Sequence, residues 1–522
     1  MADNLQVFTA YCEGGLNTNR DLLSQGERQP GSATRLVNYE PSLTGGYRRI
    51  SGYEHSFPNL PGNGRVLGLC VVDGINDGIL ALRNPDNIGD AYLHYWDMTN
   101  EVWQPVAASS GSTDDFSNTE RVRFITYNWG EQRVLFVDGI NEAHVYNGTT
   151  LQNLQGTLAP DAPSVAAAYA NHMFLSGDPA EPTNVYFSAP VNELDYTPAN
   201  GAGVINVGFP VTQLKVFRNE LYIFGFSQIK KLSGTNIADF VVQDVTQDLG
   251  CIAADSVVEI GGDLLFLGPD GIRPISATDR LNDVELETVS KDIQSYMAYL
   301  NANAETTIPL ENLCSVIIRG KSQFRYFFAN DSTEEGIVGG LRKNQNGQIG
   351  YEFGQLLGFN ATCAASGYIG REEYVLHGDL NGNVYRQEVG TSFDGGDIFS
   401  IFQTPYYHMG DPEVRKHFLK CTTYMRAEGE IRLLMGMLYD YEDQGTLSPS
   451  SYTISVEGAA AYYNDVATFD GTAIYDGNPT PLIRTNVSGS GRAVSIKYVT
   501  QDTNESHSIQ GLVLLFGVDD RR

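Results

Sequence analysis

Asp263-Leu-Leu-Phe-Leu-Gly-Pro-Asp-Gly-Ile-Arg-Pro-Ile275 reads as a β-hairpin, and its pattern recurs along much of the chain. An apolar run is followed by a Gly-Pro-Asp-Gly turn and then a shorter alternating run. Gly268 and Gly271 can take positive φ without steric cost, and Pro269 pre-sets φ for the first turn position. The same grammar appears at Gln132–Asn147, Asn171–Ser188, Glu220–Leu232 and Glu373–Arg386, with looser copies at Gly78–Trp96 and Phe324–Gly340.

Aligning the apolar strands on Leu80, Leu135, Leu175, Tyr222, Leu265, Phe327 and Val375 gives steps of roughly 40 to 60 residues, the period of a β-propeller with several short strands per unit. The reading is therefore an all-β chain with a propeller of about six to eight blades. The competing reading is an all-β chain of unrelated hairpins, and the repeat period decides against it. Residues 61–395 are assigned to the propeller. Residues 396–522 carry long alternating strands, such as Ala493-Val-Ser-Ile-Lys-Tyr-Val499, and are read as a separate β-sandwich-like domain. Residues 1–60 form an extended N-terminal docking segment rich in Gly, Asn and Arg.

Composition supports strands and tight turns: among 522 residues there are 55 Gly, 29 Tyr and 24 Phe. One helical stretch stands out, Glu285–Leu300, where Val289, Ile293, Met297 and Leu300 fall at helical spacing. It lies in an insertion, Ala277–Glu311, that breaks the repeat spacing. Ser109–Asn118 and Pro179–Thr183 read as exposed loops. The formal net charge of −29 opposes a groove that grips nucleic acid, because phosphate binding needs concentrated Lys and Arg. It suits either a solvated surface or a wall past which DNA slides.

The six cysteines are scattered without a close pair and read as reduced, buried thiols. No signal peptide is expected after Met1, and no apolar run is long enough to span a bilayer. The chain is expected to be soluble and made in the cytoplasm.

Motif screens give no catalytic, cofactor or metal residue. HExxH and GxSxG patterns are absent, as are sialidase boxes, and the only Trp-Asp pair is Trp96-Asp97. Gly320-Lys-Ser322 ends like a phosphate loop but has Ser315 where its first glycine should stand, so it reads as a strand-end turn. Asp379-Leu-Asn-Gly-Asn383 starts like a calcium loop but continues with Val384 and reaches Gly390 at the twelfth position; it reads as a hairpin turn. These screens predict a protein that is not an enzyme and has no cofactor.

Two glycine pairs, Gly14-Gly15 and Gly45-Gly46, allow close backbone approaches in the N-terminal segment. There Arg28, Arg35, Arg48 and Arg49 gather positive charge in an acidic chain. Arg suits bidentate pairing with a partner's carboxylates, and internal ion pairing is the alternative. A second candidate docking stretch is Thr404–Phe418, with Tyr406, Tyr407, Arg415 and Lys416.

The segment Gly14–Glu54 (GGLNTNRDLLSQGERQPGSATRLVNYEPSLTGGYRRISGYE) resembles the opening of tail nozzle proteins of short-tailed bacteriophages, also called tail tubular protein B or packaged-DNA stabilisation proteins. Thr404–Met425 and Ser506–Arg522 resemble that family's last domain, while the middle matches through its repeats alone. The resemblance implies a virion structural protein in a ring of six copies below the portal and adaptor. Its partners would be other copies of itself, the tail adaptor, and tail fibres or other tail proteins. Double-stranded DNA would pass transiently through the lumen during ejection. Acidic walls would repel the phosphate backbone, so the lumen is expected to be lined by Asp and Glu. The competing readings are a receptor- or glycan-binding propeller at a tail tip, using loop aromatics such as Tyr95, Trp96 and Trp103, and a propeller glycan hydrolase.

Overall fold

Each of the seven alignment residues falls on the second strand of a separate sheet, so the repeat read from the sequence is the repeat of the fold. The computed structural model describes residues 5–19, 21–86, 92–108, 119–276, 288–302, 313–328, 334–343, 349–443, 445–456 and 482–518. The loop 109–118, residues 277–287 and 303–311 of the insertion, and the closing residues 519–522 lie outside these. The chain is all-β and builds a β-propeller with a sandwich beside it.

Six blades have four antiparallel strands each: Asn63–Pro105, Arg123–Asn153 (to which Ala107–Ala108 adds a fifth strand, parallel to Thr150–Asn153), Val165–Asn206, Val211–Thr246, Cys314–Leu357, and Cys363–Gln387 with its outer strand at Tyr53–Glu54. A three-stranded sheet, Val258–Pro274, sits between the fourth and fifth of these. Numbered in chain order, it is blade 5 and the last is blade 7. The opening hairpin belongs to it: Gly268 pairs with Gly271 across Pro269-Asp270, and Gly271 has φ +136°. The ring closes because Tyr53–Glu54, which directly precedes blade 1, pairs with Arg386 and Gln387 as the outer strand of blade 7.

The insertion helix is shorter than its pattern suggested, a 3₁₀ turn at Lys291–Ile293 followed by an α-helix at Gln294–Ala302. Ile293 and Met297 are buried in the core, as their spacing requires.

Both ends of the chain build the sandwich. In one sheet, His507–Val518 lies between Lys416–Ala427 and the N-terminal strand Leu5–Tyr11, and Tyr47–Arg49 continues the N-terminal side. The facing sheet runs without a break from blade 6. Val37 pairs with Gln355 of that blade, while Arg35–Val37 pairs with Ile401–Gln403, and the order continues through Val494–Asp502 and Ile431–Tyr439 to Tyr452–Val456. One hydrophobic cluster accordingly joins Leu265 and Tyr326 of the propeller to Met435, Ile496 and Leu514 of the sandwich. The described residues between Leu5 and Glu54 are therefore woven between propeller and sandwich rather than extended from them. The glycine pairs permit this. Gly46 has φ +82°, and a Cβ there would stand 2.2 Å from the Ile509 carbonyl oxygen.

Candidate functional site: the propeller axis and the sandwich face

The innermost strands converge on an axial cavity of about 580 Å³, walled by Leu69–Val71, Arg121–Thr126, Ala166–Ala168, Gln213–Val216, Val257–Glu259, Cys314–Ile317 and Cys363–Ser366. Each of the seven sheets gives one run. At the end where these strands begin, Arg121 reaches across from blade 2. Its Nη1 pairs with Asp255 Oδ2 at 2.9 Å and donates to the Leu313 carbonyl before blade 6, while Nη2 donates to the Thr362 carbonyl before blade 7 at 2.6 Å. Arg123 holds the other side of the same carboxylate, Nε to Oδ1 at 2.7 Å, and donates to Ser164 before blade 3. Burial opposes ionisation of Asp255, but Arg123 and Arg121 outweigh it and hold its carboxyl below the usual carboxylate range. These three residues bind five blades together across the axis. The propeller axis is thus stapled at this end.

At the far end the lining changes. Lys215 of blade 4 faces the cavity with no hydrogen bond or ion pair among the described residues, while Glu259 of blade 5 and Arg319 at the end of blade 6 are exposed. Burial pushes the Lys215 ammonium below its ordinary range, Glu259 opposes the shift, and Arg319 adds to it. Arg319 donates to Ser366 Oγ at 3.1 Å. Burial also pushes the Cys314 thiol up to about 12 and the Cys363 thiol up to about 11, so neither supplies a thiolate. The lining carries four cations (Arg121, Arg123, Lys215, Arg319) against two carboxylates (Asp255, Glu259), the reverse of the chain's overall balance.

The residues proposed from sequence for docking separate into two groups. Arg48 pairs with Glu40 at 3.2 Å and Glu428 at 2.6 Å; Arg49, 1% exposed, pairs with Asp502 at 2.9 Å. Tyr407 is buried and donates to the Pro30 carbonyl; Tyr406 is buried against Tyr441; Lys416 is buried and donates to the Asp411 and Arg492 carbonyls. Arg49, Tyr406, Tyr407 and Lys416 are thus internal to the folded chain, while Arg48 is half-buried. Arg28, Arg35 and Arg415 are exposed. The aromatics suggested for glycan contact are also internal. Trp96 and Trp103 lie on blade 1 strands, pack against Phe57, and are buried, while Tyr95 is half-buried. The turns at Gly320–Ser322 and Asp379–Asn383 are strand-end and hairpin turns; Asp379 accepts from the Asn381 and Asn383 amides.

A face of a different kind lies on the sandwich. The outer side of the sheet that pairs Leu5–Tyr11 with His507–Val518 presents Leu5, Val7, Thr9 and Tyr11, then Val513 and Leu515, then Lys420, Thr422 and Tyr424, then Leu482 and Arg484, in aligned cross-strand rows. Leu5 (49%), Val7 (64%) and Tyr11 (58%) are widely exposed. The named positions include two bases and no acid. Leu5–Tyr11 is also an edge strand, its second side unpaired among the described residues. Sequence reasoning missed this face because its rows join residues about 500 positions apart.

No family model matches the sequence, and no curated protein matches it. Similar solved structures include an exo-β-1,3-galactanase from Phanerochaete chrysosporium, with 10% identity, 90% of this chain and 100% of that chain covered, and a TM-score of 0.26. An ancestral GH74 enzyme matches with 9% identity over 74% of this chain and 53% of that one, TM-score 0.38, so the chain spans about half of its length. The computationally designed Ika8 protein matches with 12% identity over 65% of this chain and 100% of that one, TM-score 0.33. The expectation from motif screens that the chain is not an enzyme is withdrawn, because missing motifs do not exclude catalysis on a β-propeller. Among the described residues no helix is long and apolar enough to cross a membrane.

Proposed function

We propose that the chain is a structural subunit of a short-tailed phage virion, made in the host cytoplasm. Copies of it would form a ring below the portal and adaptor that conducts DNA during ejection and helps to retain it beforehand. The observation that carries this reading is the outer sandwich face, a largely apolar surface with an unpaired edge strand, which a lone soluble chain has no reason to leave open. A closed ring needs such a face to meet a different surface on the next copy. Two bases and no acid on it suit a neighbour whose formal charge is −29. The resemblance of Gly14–Glu54 and of the C-terminal stretches supplies the phage context. DNA would run through the lumen between copies, because Arg121, Arg123 and Asp255 staple each propeller's own axis. The test is the solution mass of the purified protein, alone and with a portal–adaptor complex, followed by electron microscopy. A ring with a hole wide enough for duplex DNA supports the reading; a monomer that ignores the adaptor sinks it.

The second reading, a glycan-recognising propeller at a tail tip, is favoured by the fold and by its axial cavity. It draws no support from Trp96 or Trp103, which are core residues. A glycan array separates the two: sugar binding by a protein that forms no ring favours recognition.

A further inference from the structure

The axial cavity is unusual for this chain in its charge. The sequence holds 63 acids against 34 bases, yet the cavity lining reverses that ratio. The reversal is not explained by the staple alone. Arg121 and Arg123 share the Asp255 carboxylate and several backbone carbonyls, so their charge is largely satisfied at the closed end. Lys215 is different. It projects from the innermost strand of blade 4, on the same side as Gln213, whose amide donates to the Ala254 carbonyl of blade 5 at 2.8 Å. Two residues further along, Lys215 has no such partner among the described residues. Lys215 is half-buried on the cavity wall, so its unpaired ammonium is accessible to a charged group that enters the cavity.

We propose that the open end of the axial cavity is a binding site for a small anion of the carboxylate or phosphate class, held by Lys215 with Arg319 at the mouth. The cavity, about 580 Å³, falls in the range of small-molecule sites and would admit an acidic monosaccharide. Arg319 is steadied by Ser366 and lies near Glu373, at 3.8 Å, which leaves part of its guanidinium for a ligand. Aromatic surface for stacking is scarce, with Phe124 alone among the lining residues. That selects against neutral sugars and in favour of charge. Glu259 is the carboxylate that competes with an incoming anion for Lys215. The site is independent of ring formation and stands under either reading above.

The experiment is calorimetric titration of the full chain with inorganic phosphate and with glucuronate, using glucose as the uncharged control. Either anion is expected to bind and glucose is not. Lys215→Met should weaken anion binding at least tenfold while the melting temperature is kept. Glu259→Gln, an exposed substitution, should tighten it several-fold by removing the competing carboxylate. The proposal is overturned if neither anion binds at about 10 mM, a threshold that corresponds to very weak association. It is equally overturned if Lys215→Met binds as wild type, if Glu259→Gln leaves affinity unchanged or lower, or if glucose binds as well as glucuronate.

Discussion

Arg121 and Asp255, 134 positions apart in sequence, meet across the propeller axis at 2.9 Å. The contact ties blade 2 to blade 5, and the same guanidinium continues to blades 6 and 7. A ring of blades has no covalent hoop, so cross-axis contacts of this kind resist its opening.

Removing that carboxylate is the first test. Asp255→Asn leaves Arg121 and Arg123 without their shared counter-charge in a largely enclosed place. A loss of about 3–5 kcal/mol is expected, measured by urea denaturation. A change within about 0.5 kcal/mol, the scale of an ordinary surface substitution, would show that the staple is ornamental.

Stability should also fall in mild acid. Burial lowers the pKa of His144 to about 4 and of His377 and His507 to about 3, from an ordinary 6.5, with Arg325 adding to the effect at His377 and Arg49 and Arg48 at His507. In each case the folded value is depressed, so the unfolded chain takes up the proton first. The contribution is fully present above about pH 6.5 and is lost as pH falls toward the folded values. Chemical denaturation between pH 7.5 and pH 4.5, in steps of about half a unit, should show this decline. His507→Gln, which can still hydrogen-bond to the Tyr39 hydroxyl, should flatten it. An unchanged slope in that variant would exclude His507 as a source.

On the sandwich face, Val7→Lys replaces a widely exposed apolar side chain on an edge strand. The melting temperature should hardly move, since surface changes of this kind cost within about 0.5 kcal/mol. Assembly, read by analytical ultracentrifugation or electron microscopy, should be lost. Intact rings from this variant would place the subunit contact elsewhere.

Trp103 offers a contrast. Its indole packs with Trp96 and Phe57, and Nε1 donates to the Pro58 carbonyl at 2.8 Å. Trp103→Ala should destabilise the fold by about 3–5 kcal/mol, as aromatic core truncations do. A well-folded variant that had lost only sugar binding would return this residue to a recognition role.

Gly46→Ala tests the weave of the termini. The backbone there is left-handed, and the new methyl would meet the Ile509 carbonyl. A loss of more than about 1 kcal/mol is expected in thermal or urea melts.

The sequence made the blades legible because each second strand and its turn are local: Leu135 with Asp138-Gly139, or Val375 with Asp379 to Asn383, states its own structure within a dozen residues. What stayed hidden is what depends on distant partners. Arg48 and Arg49 look like a free basic patch until Glu428 and Asp502 arrive from the other end of the chain. Val7 and Leu515 look like ordinary strand residues until their pairing puts both on an open face. Lys215 gives no signal in sequence beyond alternating with Gln213 in an apolar strand. Its setting appears only when the inner strands are drawn round one axis.

The pairing of Leu5–Tyr11 with Gly511–Gly517 has a consequence for the order in which the molecule takes shape. During synthesis the first strand emerges with its partner still some five hundred residues away. The blades can close on local contacts meanwhile, but Tyr53–Glu54 waits for blade 7 and Leu5–Tyr11 waits for Gly511–Gly517. Until then the apolar strand is exposed to every neighbour on the same messenger. The outer sandwich face is thus completed only once Gly511–Gly517 has been made, and a chain cut short before that stretch lacks it.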